Sequence, residues 1–346
     1  MTVDRTFATG LAKPWDLAFE PAGNQQLVAT ERDTGMIRAL VGAAWRDLGS
    51  IGTLAPSPAF DPTGEGGLMG LAFDPNYPTA PYLYVCTSTT VDDRVLRLSV
   101  TLDGSSNPVS VSSPLAIVTG IPHGASHLGC RVRFQPGASP AALFVTTGDV
   151  FFGPNPQSDT SLAGKVLRVN VDGSAYPGNV SGRRWFTKGH RNPQGIAFRP
   201  GSNTPYSAEH GTDVNDEVNL LVNGANAGWD PTNGSDYDQS KLMTDFVKFP
   251  SALVPIYRSG VTIAPSGLTF LSDARWGAWD GAIVLAVLKN SELRVLLMNS
   301  DGTASGQFQI PGSTGVRLRS VVQGPDGNLY VATDQTSGAI WRVVPS

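Results

Sequence analysis

Gly195-Ile196-Ala197-Phe198-Arg199-Pro200-Gly201 runs after a short gap into Tyr206-Ser207-Ala208-Glu209. It reads as a strand, a tight turn and a second strand. Pro and Gly set the turn, and the alternating apolar residues face a neighbouring sheet. The same phrase recurs along the chain. Trp15-Asp16-Leu17-Ala18-Phe19-Glu20-Pro21 leads to Leu27-Val28-Ala29-Thr30, and Gly70-Leu71-Ala72-Phe73-Asp74-Pro75 leads to Leu83-Tyr84-Val85. Arg131-Val132-Arg133-Phe134-Gln135-Pro136 leads to Leu143-Phe144-Val145-Thr146, and Gly267-Leu268-Thr269-Phe270 leads to Ala282-Ile283-Val284-Leu285. Arg319-Ser320-Val321-Val322, with Pro325 and Gly327 in its turn, leads to Leu329-Tyr330-Val331-Ala332.

Six such units at spacings of roughly 50–70 residues each leave room for about four strands, which predicts an all-β, six-bladed β-propeller of four-stranded antiparallel blades. A β-sandwich with chance similarity is the alternative. The whole chain, residues 1–346, is expected to be one such domain, its ring closed by pairing Ala339-Ile340-Trp341-Arg342-Val343 with the segment near Thr6-Phe7-Ala8. Composition agrees, because 39 Gly and 26 Pro are many for a helical protein. A net charge of −4 without a long basic run argues against nucleic acid as a partner. No apolar run approaches the roughly 18–20 residues that span a bilayer, so no membrane span is expected. Met1-Thr2-Val3-Asp4-Arg5 is not a signal peptide. Cys86 and Cys130 both lie in strand-like runs and read as buried free thiols, with a disulfide as the alternative.

A propeller binds ligands where the loops around its innermost strands meet at one mouth of the axis. Polar residues at that phase of the repeat are therefore the candidates. They are His127 and Asp149 around the third unit, Arg191, Asn192, Gly211 and Thr212 around the fourth, Thr262 and Lys289 around the fifth, and Arg317 and Arg319 opening the sixth. Arg317 and Arg319 alternate along a strand, project to one face, and with Lys289 make a cationic pocket suited to several carboxylates. Solvated surface charge is the alternative for any one of them. A carboxylate that fixes one imidazole nitrogen leaves the other free as a general base, the role open to His127 with Asp149; a structural histidine is the default reading. Arg191 beside them can stabilise developing negative charge. Asp213, Asn215, Asp216 and Glu217, and the run from Asp230 to Asp238, offer hard oxygens that suit Ca²⁺ more than Zn²⁺, or else are solvated acidic loops. No nucleophile elbow, P-loop or dinucleotide fingerprint stands in its required context, so hydrolase and nicotinamide chemistry have no support.

Together the residues Gly189-His190-Arg191-Asn192-Pro193-Gln194-Gly195, Glu209-His210-Gly211 with Asp216-Glu217-Val218-Asn219, His127 with Arg131 and Asp149, and Arg317 with Arg319 resemble the glucose/sorbosone dehydrogenase family. These are the soluble pyrroloquinoline quinone (PQQ)-dependent glucose and aldose sugar dehydrogenases, six-bladed propellers. The likeness runs from Pro14 to Val343, and the chain's length is more like the compact monomeric aldose enzymes than the longer dimeric glucose enzymes.

The resemblance implies PQQ and Ca²⁺ as cofactors, an aldose as substrate, an external electron acceptor, a monomer, and a periplasmic or secreted location. It implies that His127 is the base for the anomeric hydroxyl, Asp149 its orienting carboxylate, and Arg191 the arginine near the reacting quinone oxygen. Asn192, Lys289, Arg317 and Arg319 match cofactor binders, with Thr262 and Tyr257 lining the same pocket. The carbonyls of Gly211 and Thr212 match the ligands of the catalytic calcium, while Glu217 and the Ala227 carbonyl match a separate structural calcium. Glu65 stands where the glucose enzymes have a cofactor-contacting glutamine. Ser126 replaces a sugar-contacting aspartate and Gly260 a covering aromatic, which implies an open site with broad aldose use. Oxidation of a non-sugar alcohol, or a propeller that only binds, are the alternatives.

Overall fold

The computed structural model describes residues 1–345. Six four-stranded antiparallel sheets follow one another around an axis, each entered by one of the repeated phrases. The innermost strands are Pro14–Phe19, Leu68–Phe73, Gly129–Phe134, Pro193–Phe198, Pro265–Phe270 and Leu318–Gln323. Five blades are built from strands in chain order, the fourth with a small two-stranded hairpin inserted before its outer strand. The sixth takes its outer strand from the other end of the chain, where Thr2–Leu11 pairs antiparallel with Gly338–Val344, in a register that includes Ala8 with Ile340 and Thr9 with Ala339. This seam covers the edge of Gly338–Val344 that would otherwise lie open and closes the ring.

The repeat's first position sits where neighbouring inner strands converge. A Cβ added at Gly70 would lie 2.3 Å from the Cys130 carbonyl, and one at Gly195 would lie 2.3 Å from the Ser266 carbonyl. Glycine there allows the inner strands of adjacent blades to touch. The same position is Asp16 in blade one, Arg131 in blade three and Ser320 in blade six, and the room left by the glycines is filled by the Asp16 and Arg131 charges. The fully buried Arg131 guanidinium crosses the axis. It pairs with Asp16 and donates to the Gln194 carbonyl (2.9 Å), Ser266 Oγ (3.3 Å), Ser320 Oγ (3.2 Å) and the Arg319 carbonyl (3.2 Å). One side chain thus ties five blades and floors the axial channel.

Between blades the core is apolar. The largest cluster, containing Trp15, Met69, Tyr84, Val95, Val145 and Leu167, fills the space between blades two and three. Cys86 and Cys130 lie in it and are joined by a disulfide, with Cα atoms 5.6 Å apart. The expectation of free thiols is therefore corrected. The cysteines occupy facing strands of adjacent blades, a proximity set by ring geometry and not by their separation of 44 residues. Among the described residues no helix is long and apolar enough to cross a membrane.

Candidate active site

One backbone hydrogen bond recurs in every blade and explains why the polar residues share a phase. A residue at the end of the second strand, or up to three places beyond it, donates its N–H to a residue one or two places before the first. Arg32 donates to Lys13, Ser88 to Gly67, Val150 to His127, His210 to Asn192, Lys289 to Ile263 and Asp334 to Arg317. Twelve side-chain positions are thereby brought to one rim. Beneath that rim, above the Arg131 floor, lies a cavity of about 270 Å³ to which all six blades contribute.

Its wall is cationic. Lys289 and Arg317 reach it from exposed positions, and Arg319 and Arg32 line it from buried ones. Arg319 donates to Gln194 Oε1 (2.8 Å) and Asp334 Oδ2 (3.1 Å), and Arg317 donates to the same Asp334 oxygen (3.2 Å). Burial pulls the Asp334 carboxyl up, but the two guanidiniums outweigh it and hold it below its ordinary value. Several buried polar atoms around the cavity have no protein partner: Nε of Arg319, Nδ2 of Asn192, Nε of Arg191 and Nε2 of His210. Buried polar groups are rarely left unpaired, so three donors and an imidazole nitrogen left over at one place mark a site for a polar, anionic guest. Burial first, then the neighbouring charges of Arg319 and Arg191, push the His210 imidazole well below its usual range.

Beside the cavity His127 Nδ1 lies 2.8 Å from Asp149 Oδ1, both groups buried. The backbone of His127 is left-handed (φ 60°), and its N–H donates to Glu65 Oε2 (2.9 Å). Glu65 thus lines the cavity and also fixes the loop of the candidate base. Arg191 donates to the carbonyls of Gly211 (2.5 Å) and His210 (3.2 Å) and lies over the Trp229 ring at 5.8 Å. The Thr212 carbonyl accepts from Thr262 Oγ1 (3.1 Å). Each of these two carbonyls therefore keeps a lone pair for a further partner.

The structure brings His127, Asp149, Arg191, Asn192, Thr262, Lys289, Arg317, Arg319, Glu65, Gly211 and Thr212 to one end of the axis. Tyr257 is not among them. It lies in the outer strand of blade four, and its hydroxyl meets Arg294 (2.8 Å) and Gln307 (2.9 Å) of blade five, away from the cavity. Glu217 and Ala227 form a separate place. Glu217 sits directly across the strand pair from Glu209, and both are buried. Burial and the Glu209 charge push Glu217 up to about 8. Glu217 accepts from Thr244 Oγ1 (3.0 Å), and the Ala227–Gly228 segment packs beside Thr244 through the bond from Asp245 N–H to the Gly228 carbonyl (3.2 Å). Asn219 Oδ1 is buried there without a partner. Opposed buried carboxylates and a spare carbonyl oxygen are a donor set that a hard cation would satisfy. The acidic run before Glu217 does not converge with it. Asp216 is spent on the backbone N–H groups of Gly211, Ile263 and Ala264. Among the described residues no three His, Cys, Asp or Glu side chains form a metal-binding group.

Sequence reading missed Arg32, Asp334, Gln194, Trp229 and Tyr237. Arg32 and Asp334 follow the second strands of blades one and six directly, one place short of the phase of Lys289 in blade five, so the repeat carried their signal. Tyr237 came from an irregular segment with no phase to read.

Comparison with known proteins agrees with this geometry. The family model for glucose/sorbosone dehydrogenase matches residues 11–342. The aldose sugar dehydrogenase YliI of Escherichia coli (strain K12) is 29% identical over 350 residues, covering 97% of this chain and 91% of that protein. Quinoprotein glucose dehydrogenase B of Acinetobacter calcoaceticus is 28% identical over 308 residues, 79% of this chain and 61% of that one. The PQQ-bound structure of an aldose sugar dehydrogenase from Streptomyces coelicolor superposes with a TM-score of 0.79 at 27% identity, over 99% of this chain and 98% of that one.

Proposed function

The chain belongs to the glucose/sorbosone dehydrogenase family, and on that premise we propose that it is a single-domain, PQQ- and calcium-dependent aldose sugar dehydrogenase. It oxidises the anomeric C1 hydroxyl of aldoses to lactones and hands the electrons to an external acceptor. The observation that supports this most is the pairing of a cationic axial cavity, ringed by unpartnered buried donors, with an adjacent His127–Asp149 dyad.

The residues present fit PQQ, a planar quinone with three carboxylates. Arg319, Arg317, Lys289 and Arg32 would hold the carboxylates, and Asn192 Nδ2 and Arg191 would meet ring oxygens with donors that now have no partner. Bound there, PQQ supplies the acceptor for the hydride from C1. The chain's own task is the proton. Asp149 holds His127 Nδ1, so Nε2 is the atom that takes the proton of the C1 hydroxyl as the C1–H bond breaks. Arg191 supplies fixed positive charge beside the same place. The carbonyls of Gly211 and Thr212 would hold the catalytic calcium, and Glu217 with the Ala227 carbonyl a structural one.

Nothing lies within 4 Å of the Cβ position of Gly260, and Ser126 is short, which favours an open sugar site and broad aldose use. The Cys86–Cys130 disulfide favours an oxidising compartment, periplasmic or extracellular. The test is reconstitution. Purified chain receives Ca²⁺ and PQQ, then aldoses and an electron-accepting dye. Dye reduction by several aldoses is expected, and His127→Ala should lose it by roughly 10²–10⁴-fold while still binding PQQ. Absence of dye reduction with every aldose would overturn the proposal.

A further inference from the structure

Asp149 is held from two sides, and the base accounts for only one. Oδ1 faces His127 Nδ1 and accepts the Phe151 N–H (3.1 Å). Oδ2 accepts Trp229 Nε1 (2.8 Å) and the Tyr237 hydroxyl (2.6 Å). Both of those donors come from the connection between the third and fourth strands of blade four, residues 221–256. Strands alternate in direction, so that turn belongs at the end of the blade opposite the mouth. Here the chain climbs back, the Trp229 N–H joining the Gly189 carbonyl (2.9 Å), and forms a small hairpin of Thr232–Asn233 with Asp236–Tyr237.

The Tyr237 ring does a second thing. It meets Phe151 edge-on at 5.1 Å, and Phe151 is stacked on the His127 imidazole at 3.8 Å. His127, Val150 and Phe151 all have left-handed backbones (φ 60°, 50° and 55°). Such conformations in non-glycine residues cost free energy and persist only where neighbours enforce them. Tyr237 touches both limbs of this arrangement.

We propose that Tyr237 is a positioning residue for the base: its hydroxyl draws charge from the Asp149 carboxylate while its ring braces Phe151 against the His127 imidazole. The blade-four hairpin thereby governs the aim and the proton affinity of His127. The inference rests on the reading of His127 as the base. Burial and the Asp149 charge push the Tyr237 phenol far above its ordinary range, so it remains a donor at every working pH. The other charged or titratable groups facing the dyad are Arg191, which acts on Tyr237, Glu65 at the His127 N–H, and His210, which feels the charge of His127.

The decisive variant is Tyr237→Phe, which keeps the ring and removes the hydroxyl. With one donor gone, Asp149 carries more charge and favours the imidazolium. Nitrogen-detected NMR of the His127 ring in the full-length chain should show its titration midpoint moving to higher pH by about half a unit to one unit. In the PQQ- and Ca²⁺-loaded enzyme the acid limb of the pH–rate profile should move the same way, with PQQ affinity unchanged. Tyr237→Leu, which also removes the brace, should in addition lower the plateau rate. An unmoved His127 midpoint in a folded Tyr237→Phe chain would overturn the proposal, whatever its melting temperature. If the loaded wild type reduces no dye, the reading as an aldose dehydrogenase fails, and the NMR midpoint still decides the role of Tyr237.

Discussion

Asp16→Asn tests whether the charge on the axis holds the ring together. The Asp16 carboxylate is fully buried and engages the guanidiniums of Arg131 and Arg133, Ser320 Oγ (2.9 Å), and the backbone N–H groups of Leu17 (2.8 Å) and Leu71 (3.0 Å). Every partner is a donor. Asparagine has nearly the same shape but turns one acceptor into a donor and leaves Arg131 buried without its counter-charge. Removing one member of a buried pair costs about 3–5 kcal/mol. With unfolding entropy near 2.1 cal/mol/K per residue, a chain of this length should melt roughly 4–7 °C lower.

The same carboxylate gives a pH signature. Burial pulls Asp16 up, but the charges of Arg131 and Arg133 outweigh it and bring it down to about 2, from an ordinary 3.8. That gap is worth roughly 2.5 kcal/mol, a contribution present above pH 3.8 and lost as pH falls through about 2. Melting the cofactor-free chain from pH 7 to pH 2 by circular dichroism should show that extra acid loss in the wild type and not in Asp16→Asn. A variant that melts within about one degree of wild type at pH 7, with the same acid slope, would refute the axial-charge argument.

Arg319→Ala should raise the PQQ dissociation constant roughly 10–100-fold, since a charge-assisted bond of about 1.5–3 kcal/mol is lost from a buried position; Arg317→Ala, at an exposed one, should cost less than about tenfold, and fluorescence titration of the apoprotein reads both. Replacing Cys86 and Cys130 together by Ser should destabilise the chain by roughly 4 kcal/mol, from the loop of about 45 residues released in the unfolded state, measured by urea unfolding against the oxidised wild type. Lys165 is buried without a carboxylate and gives its ammonium to the carbonyls of Asn155, Pro156 and Ala163. Burial pushes it down to about 7, so between about 7 and its ordinary 10.5 the unfolded chain holds the extra proton. Wild-type stability should therefore rise with pH across that window relative to Lys165→Met, and equal slopes in the two melts would contradict it.

Legibility in this chain follows from periodicity. Blade number, ring closure and most of the rim could be read because each depends on a residue's place within a repeat, and the recurring bond from second strand to first makes that place a position in space. Asn192, Lys289 and Arg319 were found that way, and Arg32 and Asp334 could have been. Contacts between repeats were not legible. Cys86 and Cys130 lie at different phases of neighbouring blades, and only the facing of two particular strands brings their sulfurs together. Tyr257 was misplaced for the opposite reason. It precedes Thr262 by five residues, but its outer strand ends before the chain turns inward, so nearness in sequence did not become nearness to the axis. Tyr237 lies beyond both rules, in a segment without repeat, strand period or turn motif long enough to place it. The residues that hold the Asp149 carboxylate from its far side thus come from the least periodic part of the chain. Irregular insertions on a regular ring can alter the candidate base's surroundings through side chains: this one is tied by its backbone to the outer strand of blade three at Phe186 and Lys188, while Trp229 and Tyr237 reach Asp149 by side-chain bonds alone.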